Sequence, residues 1–255
     1  MNDSITVITP TGDRYETLKF LARNLLHQTY TGKIEWIVVD DGETNAAPRA
    51  LAEVGDSTLA NYGITCYYIR RKPVKRDSGP VSLGKNLLKA LNVVSSPNIV
   101  ICEDDDWYSN THLEDVSRRL EHADIVGTVW QKYYHLPSKS YRIFRNRGGA
   151  LCSTAFGSYL MAVFKMVVEQ GIHNGSKGYD ARMWTVTGND PYIQDCYEPL
   201  RDTCIGMKGL PGRGGIGVGH RPKKFLPDPN FRVLTEWMGK EFASFYIKMW
   251  ERDFA

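Results

Sequence analysis

Apolar residues recur along this chain with two periods, one suited to strands and one to helices. Ser4 to Thr9 reads as a strand, Pro10 to Arg14 as a turn, and Glu16 to Gln28 as a helix with Leu18, Leu21, Ala22, Leu25 and Leu26 on one face. Ile34 to Val39 is the next strand, Ala46 to Val54 a helix, and Ile64 to Ile69 a third strand. Ser82 is placed to cap a helix over Leu83 to Val94, and Ile99 to Cys102 is a fourth strand. His112 to Leu120 reads as a helix, preceded by Asn110 or Thr111 as its cap. Such alternation predicts an α/β fold with a mostly parallel sheet flanked by helices.

The second half is less regular. Asp124 to Trp130 reads as a strand that Tyr141 to Phe144 can pair with, and Ser158 to Val168 fits strand or helix equally. Gly171 to Gly178 reads as a loop, and Gly206 to Gly219, rich in glycine and carrying Pro211, as a mobile one. Gly212 to Gly217 superficially matches a dinucleotide fingerprint, but no strand-turn-helix unit surrounds it. Phe231 to Trp250 repeats Leu234, Trp237, Met238, Phe242, Phe245, Tyr246 and Met249 at helical steps, which predicts a C-terminal amphipathic helix packed on the core. The chain divides into residues 1–130 and 131–255, read as halves of one continuous domain.

Composition narrows the class without naming it. The 255 residues suffice for a sizeable core, and the charged fraction of 24% does not suggest disorder. Five cysteines without a CxxC pair support neither a disulfide framework nor a cysteine zinc site. No stretch has transmembrane length, and the start of the chain lacks a basic and apolar leader, so a soluble, cytoplasmic protein is expected. A net charge of +3 is too mild to declare a nucleic-acid binder. Basic residues nonetheless cluster at Arg70–Arg76, Lys132–Arg147 and Lys208–Lys224, each suited to an anionic partner and each equally a solvated surface.

The chemistry concentrates in Glu103-Asp104-Asp105-Asp106, directly after the fourth strand. Four adjacent carboxylates repel, and a divalent cation held by oxygen, Mn2+ or Mg2+, relieves that repulsion; a solvated acidic turn is the competing reading. Asp40-Asp41 and Thr9 to Arg14 also fall at strand ends, where open α/β sheets bind ligands, so one shared pocket is expected.

Thr6-Val7-Ile8-Thr9-Pro10-Thr11 with Asp13-Arg14, Trp36 to Gly42, Gly84-Lys85-Asn86-Leu87 and Glu103 to Tyr108 occur in an order that resembles family 2 glycosyltransferases of the GT-A fold, across about the first half of the chain. The resemblance implies a nucleotide-sugar donor, UDP-linked by expectation, cradled by Thr9, Pro10, Thr11, Asp13 and Arg14, with Asp40 or Asp41 on the base or ribose and Lys85 and Asp104 nearby. It implies Asp105 as metal ligand with Asp106 beside it, and His220 as a late addition to the metal shell. Glu103 departs from the family's usual aspartate, which leaves the register of these ligands open. Asp180 resembles the family's base, with Asp190 its competitor; Arg221 and Lys223 would neutralise the leaving diphosphate. Trp107, Tyr108 and Trp184 are candidates to stack on sugar or acceptor, and equally candidates for the core.

The expected activity is therefore a divalent-metal-dependent, inverting hexosyltransferase. Two acceptors remain open: a hydroxymethylated pyrimidine in DNA, which phage enzymes of this general fold modify, and a cell-surface polysaccharide or glycolipid precursor. A non-catalytic nucleic-acid-binding protein would explain the basic clusters but not the four carboxylates.

Overall fold

β1 (Ser4–Thr11) is buried along nearly its whole length, as a central strand covered on both faces must be. It leads into α1 (Tyr15–Leu26), β2 (Lys33–Asp40), α2 (Ala46–Val54), α3 (Asp56–Asn61), β3 (Ile64–Arg70), α4 (Gly79–Leu91) and β4 (Asn98–Ile101). There follow β5 (Trp107–Tyr108), α5 (His112–Arg119), β6 (Ile125–Thr128), β7 (Trp130–His135), β8 (Ser140–Arg145), β9 (Ala155–Gly157), α6 (Met161–His173), α7 (Tyr179–Val186), β10 (Gln194–Tyr197), β11 (Cys204–Lys208), β12 (Leu226–Pro227) and α8 (Arg232–Asp253). This computed structural model describes residues 4–72, 79–146, 148–176, 178–188, 193–197, 203–212 and 220–255.

Among the described residues a seven-stranded sheet runs β10-β6-β9-β4-β1-β2-β3, with β4, β1, β2 and β3 parallel and β9 antiparallel to both its neighbours. Alternate residues of its central strands feed two cores. Ile5, Val7, Trp36 and Val38 pack with Leu18, Leu21 and Leu25 of α1. Ile8, Ile37 and Val39 pack with Leu87 and Leu91 of α4 and with Phe164 and Val168 of α6. A second sheet, β12-β8-β7-β11-β5, lies under α8, where Ile205, Met207 and Trp107 meet Leu234, Met238 and Tyr246. β9 and β10 from the second half join the first sheet, and β5 from the first half joins the second.

Several sequence expectations need correction. α4 starts at Gly79 rather than after Ser82, because the Ser82 hydroxyl bonds Asp41 instead of capping a helix. β8 pairs with β7 rather than β6, forming a hairpin. The ambiguous stretch from Ser158 is a short 3-10 turn and then α6, which runs through Gly171 into the expected loop. Gly206 lies in β11, where a Cβ would meet the Tyr133 ring at 2.6 Å. α8 is broken at Gly239, whose φ of 80° lies in the left-handed region that favours glycine.

Candidate active site

Parallel strands carry their carboxyl ends to one edge of the sheet. Thr11 sits opposite Asp40, Asp40 opposite Arg70, and Ile8 opposite Ile101, so the residues after β1, β2, β3 and β4 converge. A cleft of about 770 Å³ opens there. Pro10, Thr11, Arg14, Asp41, Asn86, Glu103, Asp104 and Asp105 line it from the strand ends, and Tyr133, Arg142, Phe144, Asp180, Lys208, His220, Arg221 and Lys223 from the second half.

The acidic run forms the cleft floor and is held from several directions. Glu103 donates its backbone N–H to the Tyr108 hydroxyl (2.8 Å), and the Tyr246 hydroxyl of α8 donates to the Asp105 carbonyl (3.4 Å). The Thr11 hydroxyl donates to Asp104 (2.5 Å), and Arg14 Nη1 lies 3.0 Å from Asp104 and 2.5 Å from Asp105. Asp106 Oδ1 accepts from the backbone N–H of Met207 (2.7 Å) and from Lys208 Nζ (3.1 Å). Two buried cations thus divide the run between them.

That division sets the charge states. Burial pushes Asp104 up to about 6, against the opposing pull of Arg14. Burial also pushes Asp106 up to about 6, against Lys208. At Asp105 burial is outweighed by Arg14 and Lys208, and its carboxyl stays below the ordinary value. Burial alone would lower Lys208, but Asp106, Asp105 and Glu103 reverse this and keep it charged. Glu103 is driven well above the carboxylate range, first by burial and then by Asp106.

His220 is pushed down to about 4 by burial and by Lys208, with Asp105 opposing, so the imidazole is neutral at pH 7. Its Nδ1 accepts from the backbone N–H of Gly209 (3.3 Å). Asp180 opens α7, half-buried, facing the cleft, and burial raises its pKa. Oxygen ligands from Asp105 and Glu103 with one neutral imidazole suit Mn2+ or Mg2+, Mn2+ the more because of the nitrogen. Buried beneath them, Asp106 Oδ2 has no hydrogen-bond partner, and ligand atoms of Glu103, Asp106 and Cys152 lie within 4.8 Å of one another. The chemistry of these donors, oxygen with one neutral imidazole, fits a divalent cation, while the ligand atoms already drawn together among the described residues are those of Glu103, Asp106 and Cys152.

The other predicted residues separate into cleft and scaffold. Asp41 lines the cleft, paired with Arg71 (2.5 Å), which also donates to Asn86 (2.6 Å). Asp40 instead binds Arg70 (2.5 Å), Tyr68 (2.9 Å) and the Gly42 N–H (2.8 Å). Asp13 accepts from the N–H groups of Glu43 (2.9 Å) and Thr44 (2.7 Å), tying the first loop to the second. Thr9 accepts from the Trp36 indole (2.9 Å), and Lys85 is half-buried on α4; neither borders the cleft. Asp106 does not border the cleft: its Oδ1 is held by β11, while the side chain keeps a ligand atom within 4.8 Å of those of Glu103 and Cys152. Asp190 lies outside the described residues.

The three aromatic stacking candidates are core residues. Trp107 (4% exposed) packs in the α8 core, and Tyr108 (1%) against His112. Trp184 (6%) lies over Gly148 and Gly127, where a Cβ would meet its ring at 2.4 and 2.7 Å. The aromatic wall of the cleft comes instead from Tyr133 and Phe144, with ring centroids 5.1 Å apart and the Arg142 guanidinium 5.1 Å from the Phe144 centroid. All three lie in the second basic cluster of the sequence, whereas the roles of Lys208 and Tyr246 had no local signal.

A family model described as "Glycosyl transferase family 2" matches residues 6–175. No curated protein sequence matches the chain. Among solved structures, the mannosyltransferase PcManGT from Pyrobaculum calidifontis, in complex with GDP-Man and Mn2+, is similar at a TM-score of 0.52 and 17% identity, over 82% of this chain and 58% of that one. S. aureus TarS 1-349 is similar in its complex with UDP (TM-score 0.55, 12% identity, 80% of this chain and 60% of that one). Its complex with UDP-GlcNAc gives 0.51 and 14%, over 84% and 60%. The chain thus spans about three fifths of the length of these structures, and the likeness is one of fold.

Proposed function

The chain belongs to glycosyl transferase family 2, whose model covers residues 6–175 of its 255, and from that membership we propose that it moves a sugar from a nucleotide-sugar donor to an acceptor hydroxyl, inverting the anomeric centre. One observation carries this reading: Asp105, His220, Arg221, Lys223 and Asp180 border one cleft at the carboxyl edge of a parallel sheet. Pro10, Thr11, Asp41 and Asn86 receive the nucleoside, UDP-linked by preference, while Asp13, Asp40 and Thr9 fix the loops that carry them. Lys85, half-buried on α4 next to Asn86, stands outside the cleft lining in this scheme.

Asp105, Glu103 and His220 would hold Mn2+ or Mg2+ against the diphosphate. A cation bound there supplies Lewis-acid stabilisation of the charge growing on the leaving group. Arg221 and Lys223, exposed at the rim, add positive charge on the same side, where preorganised electrostatics have the greatest effect on rate. Asp180 accepts the acceptor hydroxyl's proton as that oxygen bonds to the anomeric carbon and the bond from that carbon to the diphosphate breaks. Its burial-raised pKa suits a base working near neutral pH. Asp190 remains the alternative base.

The acceptor is the finer part of the proposal. Tyr133 and Phe144 beside Arg142 form a wall suited to a base flanked by phosphate, which favours a hydroxymethylated pyrimidine in DNA. The same ring faces can pack a sugar, and a glycan acceptor is the second reading. The test is incubation with Mn2+ and a panel of UDP- and GDP-sugars, with and without DNA containing 5-hydroxymethylpyrimidines, followed by mass spectrometry of the digested nucleosides. A hexose on the modified base supports both donor and acceptor. Donor hydrolysis without DNA transfer redirects the acceptor to glycans, and no donor use with any nucleotide contradicts the proposal.

A further inference from the structure

Arg14 occupies an unusual place. It borders the cleft, yet its Nη1 lies 2.5 Å from Asp105 Oδ2 and 3.0 Å from Asp104 Oδ1, both carboxylates being buried. A divalent cation binds carboxylate oxygens at about 2.0–2.6 Å. The guanidinium therefore stands in the shell that a cation on Asp105 Oδ2 would need, and two positive groups there would repel. Lys208, the other buried cation, also lines the cleft but is bound to Asp106 Oδ1, with no ion pair to Asp105 among the described residues. Gly212 packs beside the stem of Arg14, where a Cβ would lie 3.1 Å from its Cγ.

We propose that Arg14 is a resident counter-ion of the acidic run, exchanged for the divalent cation when donor binds, and that the released guanidinium then pairs with the donor diphosphate. This rests on the reading of the cleft as a cation-dependent donor site. Removing Arg14 from Asp104 and Asp105 is unfavourable unless an incoming anion takes their place. The cation alone therefore binds weakly, and a nucleoside diphosphate that offers Arg14 a new partner tightens it. By linkage the cation tightens the nucleotide by the same factor. Exchange also keeps the buried floor near neutrality in both states, so neither state leaves bare carboxylates out of water.

The test is Mn2+ binding followed by electron paramagnetic resonance of the free ion, with no turnover required. Wild-type protein should bind Mn2+ about tenfold or more tighter with UDP or GDP present than without, within the usual range of such couplings. Arg14→Met should bind Mn2+ alone about tenfold tighter than wild type and lose most of the nucleotide effect. Should that variant fail to fold, labelling of wild-type protein with phenylglyoxal gives the same information. Arg14 should be protected in metal-free protein, modified faster with Mn2+ alone, and protected again with Mn2+ and nucleotide. Mn2+ affinity unchanged or weakened by Arg14→Met, or Arg14 equally protected with and without Mn2+, overturns the exchange and leaves the glycosyl-transfer reading standing. Failure to bind Mn2+ under any condition overturns both.

Discussion

Lys208→Met removes one half of a buried ion pair and leaves the shape of the side chain almost unchanged. Lys208 is 7% exposed and Asp106 1%, with Nζ 3.1 Å from Oδ1, so the pair is shielded from water. Breaking such a pair from one side costs about 3–5 kcal/mol, because the remaining charge stays buried and uncompensated. Asp106 would keep the Met207 N–H on Oδ1 and the weak Cys152 thiol contact, with Glu103 and Asp105 as repelling neighbours. For a chain of this size about 1 kcal/mol moves Tm by roughly 2–4 °C, so the variant should melt on the order of 10 °C lower in metal-free buffer at pH 7.5. The loss should depend on pH with a definite sign. Asp106 is already raised to about 6 by burial against Lys208, and without that lysine it rises further. The folded variant then binds a proton that the unfolded chain releases, so its deficit grows as pH rises through that range and shrinks toward pH 5. Denaturant titration of wild type, Lys208→Met and Lys208→Met with Asp106→Asn at pH 5.5 and 7.5 measures this, with the double variant regaining most of the loss. A Lys208→Met deficit under about 1 kcal/mol, or one that is the same at both pH values, would refute the assignment of the pair as a buried electrostatic unit.

Other consequences follow from the same geometry. Asp105→Asn should reduce transfer by about 100-fold or more, since in the proposed scheme it loosens the cation set against the leaving diphosphate; circular dichroism should remain native, and turnover near wild type would remove Asp105 from the scheme. Gly84→Ala should destabilise by about 1–3 kcal/mol, because its Cβ would lie 2.5 Å from the Tyr179 hydroxyl that donates to the Pro80 carbonyl. Tyr179 precedes Asp180, so kcat should fall with it; unchanged thermal unfolding and kcat would show that the α4–α7 contact yields freely. The acid limb of kcat should lie above the ordinary aspartate value, because burial raises Asp180 and the base must be ionised. Asp180→Glu should move that limb, and a pH profile indifferent to this change contradicts the role.

The central sheet was legible because its strands are buried on both faces and read as unbroken apolar runs, with α1 and α2 marked by period alone. The acidic floor was legible for a similar reason: four carboxylates after a buried strand have few uses. The second half was harder. β7, β8 and β11 are short, and their pairing is decided by long-range contacts such as Lys208 with Asp106 and Tyr246 with the Asp105 carbonyl, which leave no periodic trace. The aromatic residues misled because position along the chain does not reveal which way a ring points. Trp107 follows the acidic run directly yet turns into the α8 core, while Tyr133, 25 or more residues beyond that run, reaches the cleft. Asp40 and Asp41 are adjacent, but strand alternation sends one to Arg70 and the other to Arg71 and the cleft.

The central claim is that this cleft binds a nucleotide-sugar through the Asp105 side and removes the acceptor proton through Asp180. Asp180→Asn tests it most directly, with donor binding by calorimetry and transfer by mass spectrometry on the same preparation, in Mn2+ and with the best donor from the panel. Retained donor affinity with transfer lowered by about 100-fold or more is the predicted result; transfer at the wild-type rate would contradict the account.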